Sequence, residues 1–221
     1  MPDPREAIDI RSCSLADVRF LFERYHGYKS VGSVATYCFA VYEDGVPVAA
    51  FVWSPPPPGA ARQLSSAPGG AGVLALSRMV AVPRSERRLQ KLSKALRRQM
   101  TYRIDRGRWP VLVTYSDASQ GHTGHVYLCS GWQADGERVR AYCTDDEGAR
   151  VSKYSNGKRS AAQVTGTTVL TRWVHRVCPP GEELAWLRTN GWRREEIPDK
   201  RWSSGAPAYR WVPTSGDQPC G

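Results

Sequence analysis

The chain has 221 residues, 41% of them hydrophobic and 24% charged, with a formal net charge of +10. That is ordinary globular material for one large domain, or one domain with a small appendage, and it builds a core without disulfides or a structural metal. It excludes a membrane helix, since no run approaches the ~18 apolar residues a span needs, and a secreted disulfide framework, since its 6 cysteines are scattered with no C-x-x-C pair.

Ser14, with Asp17 three residues on, caps a first helix whose apolar stripe is Leu15, Val18, Leu21, Phe22 and Tyr25. Gly27 is its natural stop. Two strand-like runs follow, Thr36–Tyr42 and Pro47–Trp53, joined by EDGV as a β-hairpin. Prolines and glycines punctuate Ser54–Gly72 throughout, so a surface loop without regular structure is expected there. A strand over Val73–Val82 leads into a helix over about Ser85–Tyr102, with Leu89, Leu92, Leu96 and Met100 on one face. Val111–Ser116 reads as a buried strand and Gly124–Ser130 as a short helix. Two more strands are expected near Gly136–Thr144 and Thr165–Val177, while the tryptophan-bearing tail resists assignment. The expected fold class is α/β (α+β): a mixed, mostly antiparallel central sheet with helices on both faces. Residues 1–177 would form the catalytic domain and 178–221 an appendage. The polar opening MPDPREAID is unlike a signal peptide, so a cytoplasmic protein is expected.

The charge is unevenly spread. Residues 84–108 hold ten Arg or Lys against Glu86 and Asp105, and residues 148–181 hold six with no acid. Concentrated positive blocks suit a polyanionic partner, although a solvated helix face would look the same. The candidate phosphate contacts are Arg84, Arg87, Arg88, Lys91, Lys94, Lys153, Lys158 and Arg159.

Reactive side chains are densest in Tyr115–Trp132, YSDASQGHTGHVYLCSGW. Asp117 emerges beyond the carboxyl end of a buried strand, where ligands bind in open α/β sheets. Gly121 and Gly124 let the backbone turn tightly. Asp117, His122, His125 and Tyr127 offer acids, bases and metal ligands within eleven residues. Asp117 is also a natural cap for the next turn, and a histidine beside a glycine is often an ordinary loop residue.

This segment resembles the signature of the Mom family of phage DNA-modification proteins, with Tyr115, Asp117, Gly121, His122, Thr123, Gly124, Tyr127 and Trp132 in matching positions. Leu76-Ser77-Arg78 resembles the family's strand motif, followed by a basic helix with a serine, here Ser93. Tyr25-His26-Gly27-Tyr28 resembles its early His-Tyr pair. The resemblance implies a GNAT-like fold and transfer of a carbamoylmethyl group to adenine N6 in double-stranded phage DNA, which protects it from restriction. It also implies iron held by His26, Asp117 and Tyr127, and a small-molecule donor handled by Arg78, Ser93 and Tyr28. Asp117, Tyr127, Arg78 and His122 would carry the chemistry, Asp117 as base or metal ligand and His122 by orienting the loop. A base flipped from the duplex could stack on Tyr28, Trp53 or Trp132, although Trp132 fits the core better.

Two departures stand out. A conventional coenzyme A loop carries glycines ahead of a helix N-terminus, whereas Pro83–Arg88 has none. Acetyl-coenzyme A and another acyl or glycine-type donor both remain open. Gly27 also separates His26 from Tyr28. Two rival readings stand beside a DNA base-modifying transferase: an N-acyltransferase for another amine, and a non-catalytic DNA-binding protein. Oligomeric state, a homodimer included, is open.

Overall fold

The computed structural model describes residues 8–27, 34–83, 88–144, 150–151, 154–155, 158–159, 164–201 and 207–214. In chain order they form β1 (Asp9–Ser12), α1 (Leu15–Tyr25), β2 (Tyr37–Glu43), β3 (Val46–Ser54), α2 (Pro58–Leu64), β4 (Val73–Ala81), α3 (Arg88–Tyr102), β5 (Val111–Asp117), α4 (His125–Cys129), β6 (Gln133–Thr144), β7 (Arg150–Val151), β8 (Tyr154–Ser155), β9 (Lys158–Arg159), β10 (Val164–Arg176), α5 (Glu183–Thr189), β11 (Trp192–Arg201) and β12 (Pro207–Pro213). The chain divides into two compact units: residues 1–55, 75–103 and 113–175 in the first, and 56–74, 104–112 and 176–221 in the second.

An eight-stranded sheet in the order β1-β2-β3-β4-β5-β10-β6-β7 organises the fold. Its pairs β1–β2, β2–β3, β3–β4, β6–β10 and β6–β7 are antiparallel. The expected mixed, mostly antiparallel sheet is therefore present. The β2–β3 hairpin turns on Asp44 and Gly45, at φ 51° and 77°. Two positive φ values in a two-residue loop match the twist of the flanking strands.

Ser14 and Asp17 cap α1 reciprocally, each side chain meeting the other's backbone N–H. Val18, Leu21 and Phe22 of this helix pack on Cys38, Ala40, Ala50, Val52 and Val80. Trp53, next to Val52, instead donates its indole N–H to Gln99 of α3 at 3.0 Å. Successive strand residues point to opposite faces, so α1 and α3 cover the two sides of the sheet.

The second unit corrects one expectation. Residues 58–64 form a helix, because proline is tolerated at a helix's first position and GAARQL continues it without a breaker. In the tail, which the sequence left unassigned, α5 is followed by the antiparallel pair β11–β12, and Leu187, Trp192 and Ala67 form a small core with Trp211 against it.

Glu183, 1% exposed, ties this unit together. It accepts from the Ser66 amide and hydroxyl, the Gly181 amide and Arg176 at 2.7 Å. Burial alone would push its carboxyl up, but the Ser66 and Gly181 hydrogen bonds outweigh burial and hold it below the usual range. The stability it adds is therefore complete above the unfolded carboxyl value, about 4.3, and is lost as pH falls through the lower folded value. Glu183→Gln should cost about 2 kcal/mol at pH 7 and less as the pH falls into that range. Urea midpoints of both proteins across the acid range test this.

Among the described residues, no helix is long and apolar enough to cross a membrane.

Candidate active site

Strand β5 fixes the centre of the site. Its last residue, Asp117, is 7% exposed and caps a 3-10 turn over Ala118–Gln120. Three donors converge on its Oδ1: the Ser119 amide at 3.1 Å, the Ser119 hydroxyl at 2.6 Å, and Thr168 of the adjacent β10 at 2.5 Å. An acceptor-only carboxylate satisfies all three. Neither Ser119 nor Thr168 is distinguished in the sequence, because a hydroxyl gives no signal until the sheet order places it beside a carboxylate.

Beyond the turn, Gly121 and Gly124 both adopt left-handed conformations, at φ 71° and 75°. Gly124 lies against the Trp173 ring, which is held by its indole N–H donating to Ser116 at 2.9 Å. His122 is exposed, and its amide donates to the Asp117 carbonyl at 3.2 Å. It thus closes the loop through its backbone.

Tyr127 is a buried tie. Its ring meets Trp132 and Trp173 at 5.9 and 6.0 Å. Its hydroxyl hydrogen-bonds Thr114, whose own hydroxyl donates to the Leu76 carbonyl. Burial pushes this phenol up, and the Thr114 bond only partly opposes it. Trp132 and Trp53 stack on each other with centroids 6.3 Å apart, at 2% and 0% exposure. Both are core, so neither is presented to stack on a base.

On β4 the motif Leu76-Ser77-Arg78 forms a β-bulge: Val52 pairs with Arg78 and Trp53 with Leu76, leaving Ser77 as the extra residue. Bulges re-aim side chains and gather beside active sites. Ser77 donates its hydroxyl to the Val52 carbonyl at 3.0 Å, and Arg78 donates to the Ser77 carbonyl at 2.8 Å. Strand β4 neighbours β5, so Arg78 and Asp117 lie on adjacent strands. Nothing in the motif's letters announces the bulge.

The early motif reaches the same region. His26 caps α1, its ring 5.7 Å from that of Phe22. A Cβ on Gly27 would lie 2.8 Å from Gln120 Oε1, so the end of α1 abuts the turn after Asp117. Ser93 is 6% exposed, and its backbone carbonyl accepts from the hydroxyl of Ser130, the cap of α4, at 3.1 Å.

Other expected residues are placed less fully. Tyr28, Arg84, Arg87 and Lys153 lie outside the described residues. Arg88, Lys91 and Lys94 belong to α3, and Lys158 and Arg159 to β9.

The residues do not fit the implied iron. Tyr127 is a phenol buried inside an aromatic cluster with its hydroxyl bonded to Thr114, and Asp117 Oδ1 already accepts from three donors. Among the described residues, no group of three or more His, Cys, Asp or Glu could hold a metal.

The profile of the Mom protein family matches residues 7–177. The chain belongs to the Mom protein family. That match takes in α1, the bulged β4 and the whole Asp117 segment of this Mom-family chain. Its fold is similar to the ribosomal-protein-S18-alanine N-acetyltransferase of Escherichia coli, with a TM-score of 0.50 and 13% identity over 80% of this chain and 97% of that one. An IAA acetyltransferase from Bacillus cereus ATCC 14579 gives a TM-score of 0.46 at 10% identity, over 77% of this chain and 100% of that one. A GNAT-family acetyltransferase from Streptococcus pneumoniae gives 0.47 at 9%, over 78% and 100%. No curated protein matches the sequence.

Proposed function

We propose that this Mom-family chain is a DNA base-modifying transferase that moves an acyl-derived group from a small-molecule donor to an exocyclic base amine. Adenine N6 is the amine and carbamoylmethyl the group that the family resemblance favours. The observation that carries this reading is the family signature itself, folded so that Asp117 ends the strand next to the bulged β4.

The N6 lone pair is delocalised into the ring, so the amine must be oriented and must lose a proton as it attacks. Asp117 is the base in this reading. Its Oδ1 accepts from Ser119 and Thr168, which fixes the orientation of the carboxylate. Arg78, tethered at the bulge through the Ser77 carbonyl, binds the donor's carboxylate, phosphate or carbonyl oxygen through its planar fork. Tyr127 anchors α4 to β5 through Thr114 and thereby positions the Asp117 loop. No step runs through iron. The basic blocks hold phosphates with little sequence choice, and protection of phage DNA from restriction is the outcome expected of the product.

The deciding experiment expresses the full chain with plasmid DNA, digests the DNA to nucleosides and weighs them. A new adenosine-derived mass is expected; unmodified DNA from folded protein sinks the reading. A parallel arm supplies free amines and peptides, and acylation there with unmodified DNA would move the activity to another amine, as the acetyltransferase fold permits. Arg78→Lys keeps the charge but loses the fork, and should raise the KM for the donor about tenfold with a smaller fall in kcat. An unchanged KM removes Arg78 from donor binding.

A further inference from the structure

Helix α4 carries a second pair of reactive groups that the reading above does not use. His125 opens the helix and Cys129 closes it. Four residues apart, they share one helix face, and Cys129 Sγ lies 3.3 Å from His125 Nε2. Both side chains are exposed, while Val126 and Tyr127 between them are buried. Packing on the buried side fixes the exposed one. The Ser130 hydroxyl meets the Val126 and Ser93 carbonyls at 2.6 and 3.1 Å, and Arg97 of α3 donates to the Cys129 carbonyl at 2.8 Å. A guanidinium is thus held at the residue that bears the thiol.

Structural and metal roles do not account for this pair. A structural cysteine acts as a small buried hydrophobe, whereas Cys129 is free and exposed. A structural zinc site needs four ligands, and among the described residues no third His, Cys, Asp or Glu joins the two. A nucleophile with a base within hydrogen-bonding reach is the arrangement used in covalent catalysis.

We propose that Cys129, with His125 as its base, is a covalent acceptor site for acyl groups carried as thioesters. The proposal rests on the acyl-donor reading of the protein. Cys129 Sγ attacks the thioester carbonyl carbon as its proton passes to His125 Nε2. The donor's carbon–sulfur bond then breaks, and the departing thiolate takes the proton from His125. One thioester replaces another, so no oxidant, metal or further reactant is consumed. The acyl group is left on α4, the helix packed on α3 through Ser130 and the Ser93 carbonyl.

The test incubates the full chain with acetyl-coenzyme A and weighs its peptides before and after hydroxylamine, which cleaves thioesters. One hydroxylamine-labile acetyl group is expected on the Cys129 peptide. Cys129→Ser should abolish it, and His125→Gln should slow loading about tenfold while leaving the melting temperature unchanged. Iodoacetamide without any thioester reads the thiol alone, and Cys129 should alkylate about tenfold faster in the wild type than in His125→Gln. No acetyl group on Cys129, or loading at a rate that His125→Gln leaves unchanged, overturns the proposal. DNA modification is scored separately in the same preparations. A labelled Cys129 beside unmodified DNA would sink the DNA reading and not this one, whereas modified DNA with Cys129 unlabelled would do the reverse.

Discussion

Asp117→Asn should leave the protein folded and lower DNA modification at least about a hundredfold, the usual worth of a positioned general base. The asparagine amide oxygen can still accept from the Ser119 amide, the Ser119 hydroxyl and Thr168, so the turn over Ala118–Gln120 keeps its cap. What is lost is the charge and the ability to take a proton. Asp117→Ala is a poorer probe, because it removes the acceptor shared by the Ser119 amide, the Ser119 hydroxyl and Thr168, leaving only the Thr168–Ser119 hydroxyl contact, and so mixes a loss of fold stability with the loss of the base. Thr168→Val separates the two effects from the other side. It removes the hydroxyl that meets both Asp117 Oδ1 and Ser119 Oγ, should cost about 1 kcal/mol, and should lower activity far less than Asp117→Asn. Nucleoside mass analysis read beside thermal melts gives both quantities. Activity within about threefold of wild type in a folded Asp117→Asn protein would exclude Asp117 as the base.

What the sequence reveals and conceals here follows from how far each interaction reaches along the chain. The capping box at Ser14 and Asp17, the Asp44-Gly45 hairpin and the apolar stripe of α1 are local, and each forms where its residues announce it. The local form of the Asp117 segment is equally legible: a buried strand ends at Asp117, and Gly121 and Gly124 turn the chain beyond it. Tertiary pairing is not. The donors on Asp117 come partly from Thr168, 51 residues away, and the bulge at Ser77 exists only in register with β3. Tyr127 shows the same limit. Its letter alone offers a metal ligand or a proton donor, and only packing against Trp132 and Trp173 makes it a buried tie. Residues 54–72 misled for the opposite reason. Prolines read as breakers, yet a proline at the first position of a helix costs nothing, and α2 begins on one.

The two glycines of the site should separate sharply on substitution. Both have positive φ, so alanine at either costs about 1–2 kcal/mol in backbone strain alone. Around Gly121 a new Cβ meets nothing within 4 Å, and that strain is the whole cost. At Gly124 a Cβ would run into Trp173, with the ring's Cε2 at 2.5 Å, Nε1 at 2.8 Å, and Cζ2 nearer still. Relief requires the indole to move, and it is not free to do so. It is 8% exposed, donates to Ser116 and packs against Tyr127. Overpacking of this kind adds about 1–3 kcal/mol. Gly124→Ala should therefore cost about 4 kcal/mol and lower the melting midpoint by about 10 °C, against about 1 kcal/mol for Gly121→Ala. Trp173→Phe removes the colliding edge and should return part of the loss at Gly124 and none at Gly121. Equal effects of the two alanines, or no recovery in the Gly124→Ala/Trp173→Phe double variant, would mean that the left-handed turn alone requires glycine there, and that the indole does not set how closely the loop after Asp117 approaches β10.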